Sequence, residues 1–231
     1  MIMETNSEIM EQDAYRKQIE HINGLIQEAL EINGSREPSY AESFAKAVSL
    51  CDEAMKIAEG IDLEPSDYAQ LFHGYTKVLL GQYPFSRKSE ECAEEFLLKD
   101  LSLFQETYGP MHKKTGEVHR SIAQFYDSAE RIDEAMPHYF KAITIFKDSN
   151  GEYTYEAGEV WQNVAIVYLR QNQLQKSVDA YINAYDISLN FPDTERLNTR
   201  ELCFQIHTLY DRMGNRAKAD EYLRKIAEYY G

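Results

Sequence analysis

The stretch WQNVAIVYLRQNQLQKSVDAYINA, residues 161–184, carries the pattern that sets the fold of this chain. Trp161, Val164, Ala165 and Tyr168 recur at helical spacing and share one face. Ser177, Tyr181 and Ala184 do the same in the half that follows. Two short helices result, and neither can bury its apolar stripe alone.

Moving 42 residues in either direction finds the pattern again. Upstream stand His119, Ile122, Ala123 and Tyr126, then Ala135, Tyr139 and Ala142. Downstream stand Cys203, Ile206, His207 and Tyr210, then Ala219 and Leu223. Ile145 and Ile187 share a column, Gly109 and Gly151 mark the same loop, and Ala93 lies one step before Ala135. Stacked helix pairs explain such columns. Each copy meets the same packing problem, so small residues recur where helices approach closely and tyrosines fill the spaces between. Tyr126, Tyr168, Tyr139, Tyr181, Ala123, Ala165, Ala135 and Ala142 are therefore expected to be buried.

Periodicity and breakers predict ten helices, at about 8–32, 39–59, 65–82, 88–107, 113–128, 133–148, 154–171, 173–190, 195–213 and 215–230. Asn33-Gly34 and Pro38, Gly60, Pro84, Gly109-Pro110, Asn150-Gly151, Pro192 and Gly214-Asn215 separate them. Pro137 is expected near the first turn of its helix, where a missing N–H costs little.

Composition narrows the function classes. The 231 residues are 43% apolar, enough for a core, and the 11 Gly and 6 Pro are too few for a turn-rich β fold. The net charge of −15 would repel a nucleic acid. Residues 1–70 hold 15 acidic and 5 basic side chains, so most of the excess lies there, as expected of a solvated cap. Cys51, Cys92 and Cys203 form no paired or metal-binding spacing and suit the reduced thiols of a cytoplasmic protein. The N-terminus lacks the pattern of a signal peptide, and the apolar run Val164–Leu169 is too short to span a membrane.

The order Trp161, Ala165, Tyr168, Ser177, Tyr181, Ala184 resembles the tetratricopeptide repeat, and the 42-residue spacing with Gly109-x₂-His112 and Asp133-Glu-Ala-Met-Pro-His-Tyr139 resembles repeats of the kinesin light chain type. The resemblance implies an all-α, right-handed superhelical solenoid of antiparallel helix pairs. Residues 1–64 would form an acidic helix pair, a degenerate repeat or cap, and 65–231 the array, with copies at 65–108, 109–150, 151–192 and 193–231. The copy at 65–108 keeps Leu80-Gly81 and Ala93 in register but has Pro84 where a Tyr belongs.

In this family the first helix of each pair lines a concave groove. The positions that share a face with the packing columns without belonging to them are Arg120, Gln124, Asp127 and Ser128, then Gln162, Ile166, Leu169 and Arg170, then Phe204, Thr208, Asp211 and Arg212. Arginines and an aromatic among them favour an interface. The expected partner is a protein or peptide, with an acidic or C-terminal segment docking on Arg120, Arg170 and Arg212 and an apolar anchor meeting Phe204, Ile166 and Leu169. The alternative is that each Arg pairs with a neighbouring carboxylate such as Asp127 or Asp211. Chaperone-tail binding is not expected, because Arg120, Gln124 and Ile166 stand where Lys and Asn recur in domains of that kind.

No catalytic, cofactor or metal motif is present: no HExxH, no GxSxG, no GxGxxG and no phosphate loop. His119 and His207 fall in packing columns, and His138 beside Pro137 is expected at the surface. Cys203 and His207 share a helical face but lack a third group for nucleophilic catalysis. Glu90, Glu91, Glu94 and Glu95 suit a helix start. A non-enzymatic scaffold or adaptor follows, with a peptide-responsive regulator as the second reading.

Overall fold

The computed structural model describes residues 6–33, 39–80, 87–147, 151–191 and 198–228. They form ten α-helices: α1 (Asn6–Asn33), α2 (Tyr40–Glu59), α3 (Pro65–Leu80), α4 (Arg87–Tyr108), α5 (Lys113–Ser128), α6 (Ile132–Ile145), α7 (Tyr155–Arg170), α8 (Leu174–Ser188), α9 (Thr199–Arg212) and α10 (Arg216–Glu228). The β content among the described residues is one isolated bridge, Lys147 to Tyr153. Consecutive helices pair, and the chain divides into two compact units, Met1–Pro110 and Met111–Gly231.

The second unit shows why 42 residues make one repeat. Each first helix ends in the same turn. Glu130, Asn172 and Gly214, spaced by 42, all take positive φ, at 60°, 58° and 75°. The following N–H, of Arg131, Gln173 or Asn215, donates to the carbonyl of Tyr126, Tyr168 or Tyr210 at 2.8–2.9 Å. This is a Schellman turn, which satisfies carbonyls that a helix end leaves free. The tyrosine column thus marks the end of each first helix. Gly109 and Gly151, at φ 98° and 82°, share the other left-handed position, where a side chain would be strained.

Ala123, Ala135, Ala142, Ala165, Ser177 and Ala184 of the packing columns are wholly enclosed, whereas Leu223, in the column of Tyr139 and Tyr181, is 48% exposed. Tyr126, Tyr139 and Tyr181 are buried too. Tyr168 is only half-buried, and the Lys176 ammonium lies over its ring at 5.4 Å. The same cover recurs with Lys218 over Tyr210 at 5.0 Å and Arg131 over Tyr126 at 4.5 Å. Ser177 donates to the Ala165 carbonyl at 2.8 Å, and one repeat later the His207 ring meets the Ala219 carbonyl at 2.9 Å. The same two columns are bonded in both copies with the donor exchanged.

Several details depart from the sequence reading. α6 stops at Ile145, not near 148, since Phe146 leaves helical geometry and buries its ring. There it fills the space above Gly116, where a Cβ would come within 2.8 Å of Phe146. Pro137 is the sixth residue of α6, one residue deeper than the predicted start at 133 implies, and sits on an exposed face. α9 begins at Thr199, capped by the Asn198 carboxamide, which accepts from the Glu201 N–H at 3.0 Å. Gly34, Pro38, Gly81, Pro84, Asn150 and Pro192 lie outside the described residues.

The first unit has its own core. Ile22, Leu25, Ile26 and Ala29 of α1 meet Ala47, Cys51, Ala54 and Ala58 of α2 and Leu71 and Val78 of α3. The Tyr15 hydroxyl donates to Asp67 at 2.9 Å and accepts from the Glu64 N–H at 3.0 Å, which ties α1 to the start of α3. The repeat register reaches this unit: Ala93, Leu97 and Asp100 of α4 are buried, 42 residues before Ala135, Tyr139 and Ala142. Gly74, Gly116 and Gly158 form a further column on α3, α5 and α7. A Cβ at Gly74 would lie 2.4 Å from Ile26 Cγ2.

Candidate functional site

The candidate site is the face that α5, α7 and α9 present outside their packing columns. It has two unlike halves. On the α5/α7 half, the Arg120 guanidinium is half-buried and donates to Glu159 of α7 at 2.9 Å. Arg170 of α7 reaches back to Asp127 of α5. Asp127 also accepts from the Tyr139 hydroxyl at 3.5 Å. Burial, with the Asp127 charge beside it, raises the pKa of that phenol. Arg120 and Arg170 are therefore not free cationic forks; two ion pairs lace the helices together. Gln124 is exposed between them, and its carbonyl accepts from Ser128 at 2.8 Å.

On the α7/α9 half the same columns carry other residues. One repeat on, Arg120 becomes Gln162 and Glu159 becomes Glu201; Asp127 becomes Leu169 and Arg170 becomes Arg212. Both ion pairs are lost by substitution. Arg212 is exposed and has no ion pair among the described residues. Ile166 and Phe204 are 45% and 51% exposed, high values for apolar side chains on helices whose other faces are filled. Leu169 and Gln162 are half-buried, and the Thr208 hydroxyl is turned inward onto the Phe204 carbonyl at 2.8 Å. Asp211 is exposed and pairs with no arginine among the described residues.

Glu159 was missed as a site residue. Its signal was the column Glu117, Glu159, Glu201 at the repeat spacing. Glu156 was also missed. It is buried at the start of α7, where Lys113 Nζ meets it at 2.5 Å and the Thr154 hydroxyl donates at 2.6 Å. Burial works against its charge, but those bonds outweigh it and hold the carboxyl below its usual value.

Other ionisable groups among the described residues are buried or engaged within the helix pairs. Cys203 is buried, and the His207 ring is engaged by a backbone carbonyl. His73 of α3 meets Asp100 of α4 at 2.5 Å in the enclosed interior of the first unit. Burial pushes the Asp100 carboxyl up, and its bond to His73 draws it partly back. His138 is not at the surface as expected: it is half-buried, with its Nδ1 2.9 Å from that of His119. Among the described residues no three His, Cys, Asp or Glu side chains group to hold a metal ion, and no helix is long and apolar enough to cross a membrane.

No protein-family model and no curated protein matches the chain by sequence. Solved structures match it by fold. BtubC (BKLC) from P. vanneervenii is 15% identical, with 92% of this chain and 89% of that chain covered at a TM-score of 0.64. The nearly identical tetratricopeptide-like repeats assigned to a kinesin light chain of Podosopora anserina are 15% identical, with 92% and 93% covered at 0.61. A signal-transduction ATPase from Pyrococcus horikoshii with a tetratricopeptide repeat sensor is 15% identical over 92% of this chain and 30% of that chain, at 0.69. The chain has the fold of tetratricopeptide-like repeat proteins, as its columns and repeated turns require.

Proposed function

We propose that this chain is a non-catalytic scaffold or adaptor that holds a protein or peptide segment on the α7/α9 half of its first-helix face. The observation that carries this reading is the exposure of Ile166 and Phe204 on the face that also holds Arg212, itself exposed and without an ion pair among the described residues. A helix face kept only for solvation has no use for half-exposed Ile and Phe on the first helices of consecutive repeats, one helical turn apart in register. Aromatic and Arg side chains are what binding hot spots favour. Arg212 supplies two parallel N–H donors suited to a carboxylate. The partner that fits is a segment with an apolar anchor next to an acidic side chain or a free C-terminus. The chain's charge of −15 disfavours a nucleic acid as that partner.

The test is selection from random peptides displayed with free C-termini, followed by titration of the winners. Carboxylate-ended peptides should bind the wild type. Amidation, or the Phe204→Ala/Arg212→Glu variant, should weaken them at least tenfold with the melting temperature unchanged. Equal binding by that variant would reject this half as the site.

A further inference from the structure

The three helix pairs of the second unit fill one slot in three ways. The columns are His119, Trp161 and Cys203 on α5, α7 and α9, and His138, Ala180 and Tyr222 on α6, α8 and α10. Two copies combine a large aromatic with a small residue, Trp161 with Ala180 and Tyr222 with Cys203. The α5/α6 copy instead places two imidazoles in contact, Nδ1 to Nδ1 at 2.9 Å with ring centroids 5.1 Å apart. The slot does not need an imidazole, since its siblings hold none. The His119 Nε2 is buried with no partner among the described residues, so the pair also gives up a hydrogen bond.

Two imidazole nitrogens at this distance share one proton: one ring donates, and the other must offer its lone pair. With both rings cationic, N–H would face N–H and two positive charges would meet. The surroundings give a second charge no help. Lys141 of α6 adds positive charge, and Arg131 lies over Tyr126, whose ring centroid is 5.9 Å from that of His138. The carboxylates of the helices packed here are engaged elsewhere or do not reach the rings. Glu156 is held by Lys113, Glu159 by Arg120, Asp127 by Arg170 and Glu134 by Arg131, and Glu117 and Asp133 contact neither imidazole. α7, packed on α6, sets Trp161 against Phe140.

We propose that the His119–His138 contact is an acid-sensitive latch, which ties α5 to α6 while the rings share a proton and releases that helix pair when both are protonated. Burial, the second ring and Lys141 hold His119 at about 4, and burial holds His138 below its usual value. The unfolded chain takes up these protons near the ordinary imidazole value, about 6.5. Protons therefore favour the unfolded state, and the stability contributed by the pair, complete above about 6.5, drains away as pH falls toward 4.

The experiment transplants the sibling slots into the full chain, as His119→Trp/His138→Ala and as His119→Cys/His138→Tyr. Melting temperatures at pH 7 and pH 5 are compared, and the imidazoles of the wild type are titrated by NMR. Between pH 7 and pH 5 the wild type should lose about 5 °C more than either transplant. The His119 and His138 resonances should titrate together and below the ordinary imidazole value. Equal losses in wild type and a folded transplant, or two rings titrating independently near 6.5, would overturn the latch. The NMR arm needs no variant, so a transplant that fails to fold leaves the test intact.

Discussion

The two halves of the first-helix face in Met111–Gly231 are built on the same columns and behave as opposites. Between α5 and α7, Arg120–Glu159 and Arg170–Asp127 close the surface with the chain's own charges. Between α7 and α9, Gln162, Leu169 and Arg212 stand in three of those four columns, and Ile166 and Phe204 are exposed. A repeat protein separates two tasks in this way. The buried columns are tied to stacking and stay alike, whereas the outer columns can be spent on stapling repeats together or left open for a partner.

The largest effect should come from the columns that both halves share. Ala165→Leu overpacks a fully enclosed contact and should cost about 1–3 kcal/mol, read as a lower melting temperature. Ile166→Ala, one residue along but half-exposed, should leave stability almost unchanged. A reversed order would break the assignment of faces.

Next come the staples. Arg120→Ala should cost up to about 1 kcal/mol, because its pair with Glu159 is only partly shielded from water. Arg212→Ala should cost nothing measurable. A double-mutant cycle on Arg120 and Glu159 against Gln162 and Glu201 isolates the difference, with coupling expected in the first pair alone.

A smaller effect concerns the turn column. Glu130 holds φ 60° where Gly214 stands two repeats later, so Glu130→Gly should stabilise the second unit by about 0.5–1 kcal/mol. Denaturant midpoints would show it.

Acid gives a last separation. Glu156 is held below its usual value, so its contribution is present at neutral pH and is lost as pH falls from about 4.5 through its lower folded value. Glu156→Gln should flatten the stability profile below about 4.5 and leave the loss between about 6.5 and 5 in place. Melting curves across that range would distinguish this carboxylate from the histidine pair.

Much of the fold was legible because stacking makes each repeat solve the same problem with the same residues. Ala135, Ser177 and Ala219 announced a close helix contact, and Gly109 and Gly151 announced a recurring loop. The turn at Glu130 was not legible, since glutamate carries no turn signal and the Schellman bond to the Tyr126 carbonyl imposes its conformation. The glycine column Gly74, Gly116, Gly158 was legible and was overlooked. His138 was misplaced because its column with Ala180 and Tyr222 was not read as a packing column. The outer face was half legible. Its residues follow from spacing, but Arg120 to Glu159 spans 39 residues and Arg170 to Asp127 spans 43, offsets set by how neighbouring helices lie and not by the repeat itself.

The most direct test of the docking surface is site-specific photocrosslinking. A benzophenone amino acid is placed at Ile166, at Phe204 or at Gln124 of the otherwise intact chain, and the bound peptide or native partner is irradiated. Crosslinks from Ile166 and Phe204, with none from Gln124, are the predicted result. Crosslinks confined to Gln124, on the half already closed by its own ion pairs, would contradict it.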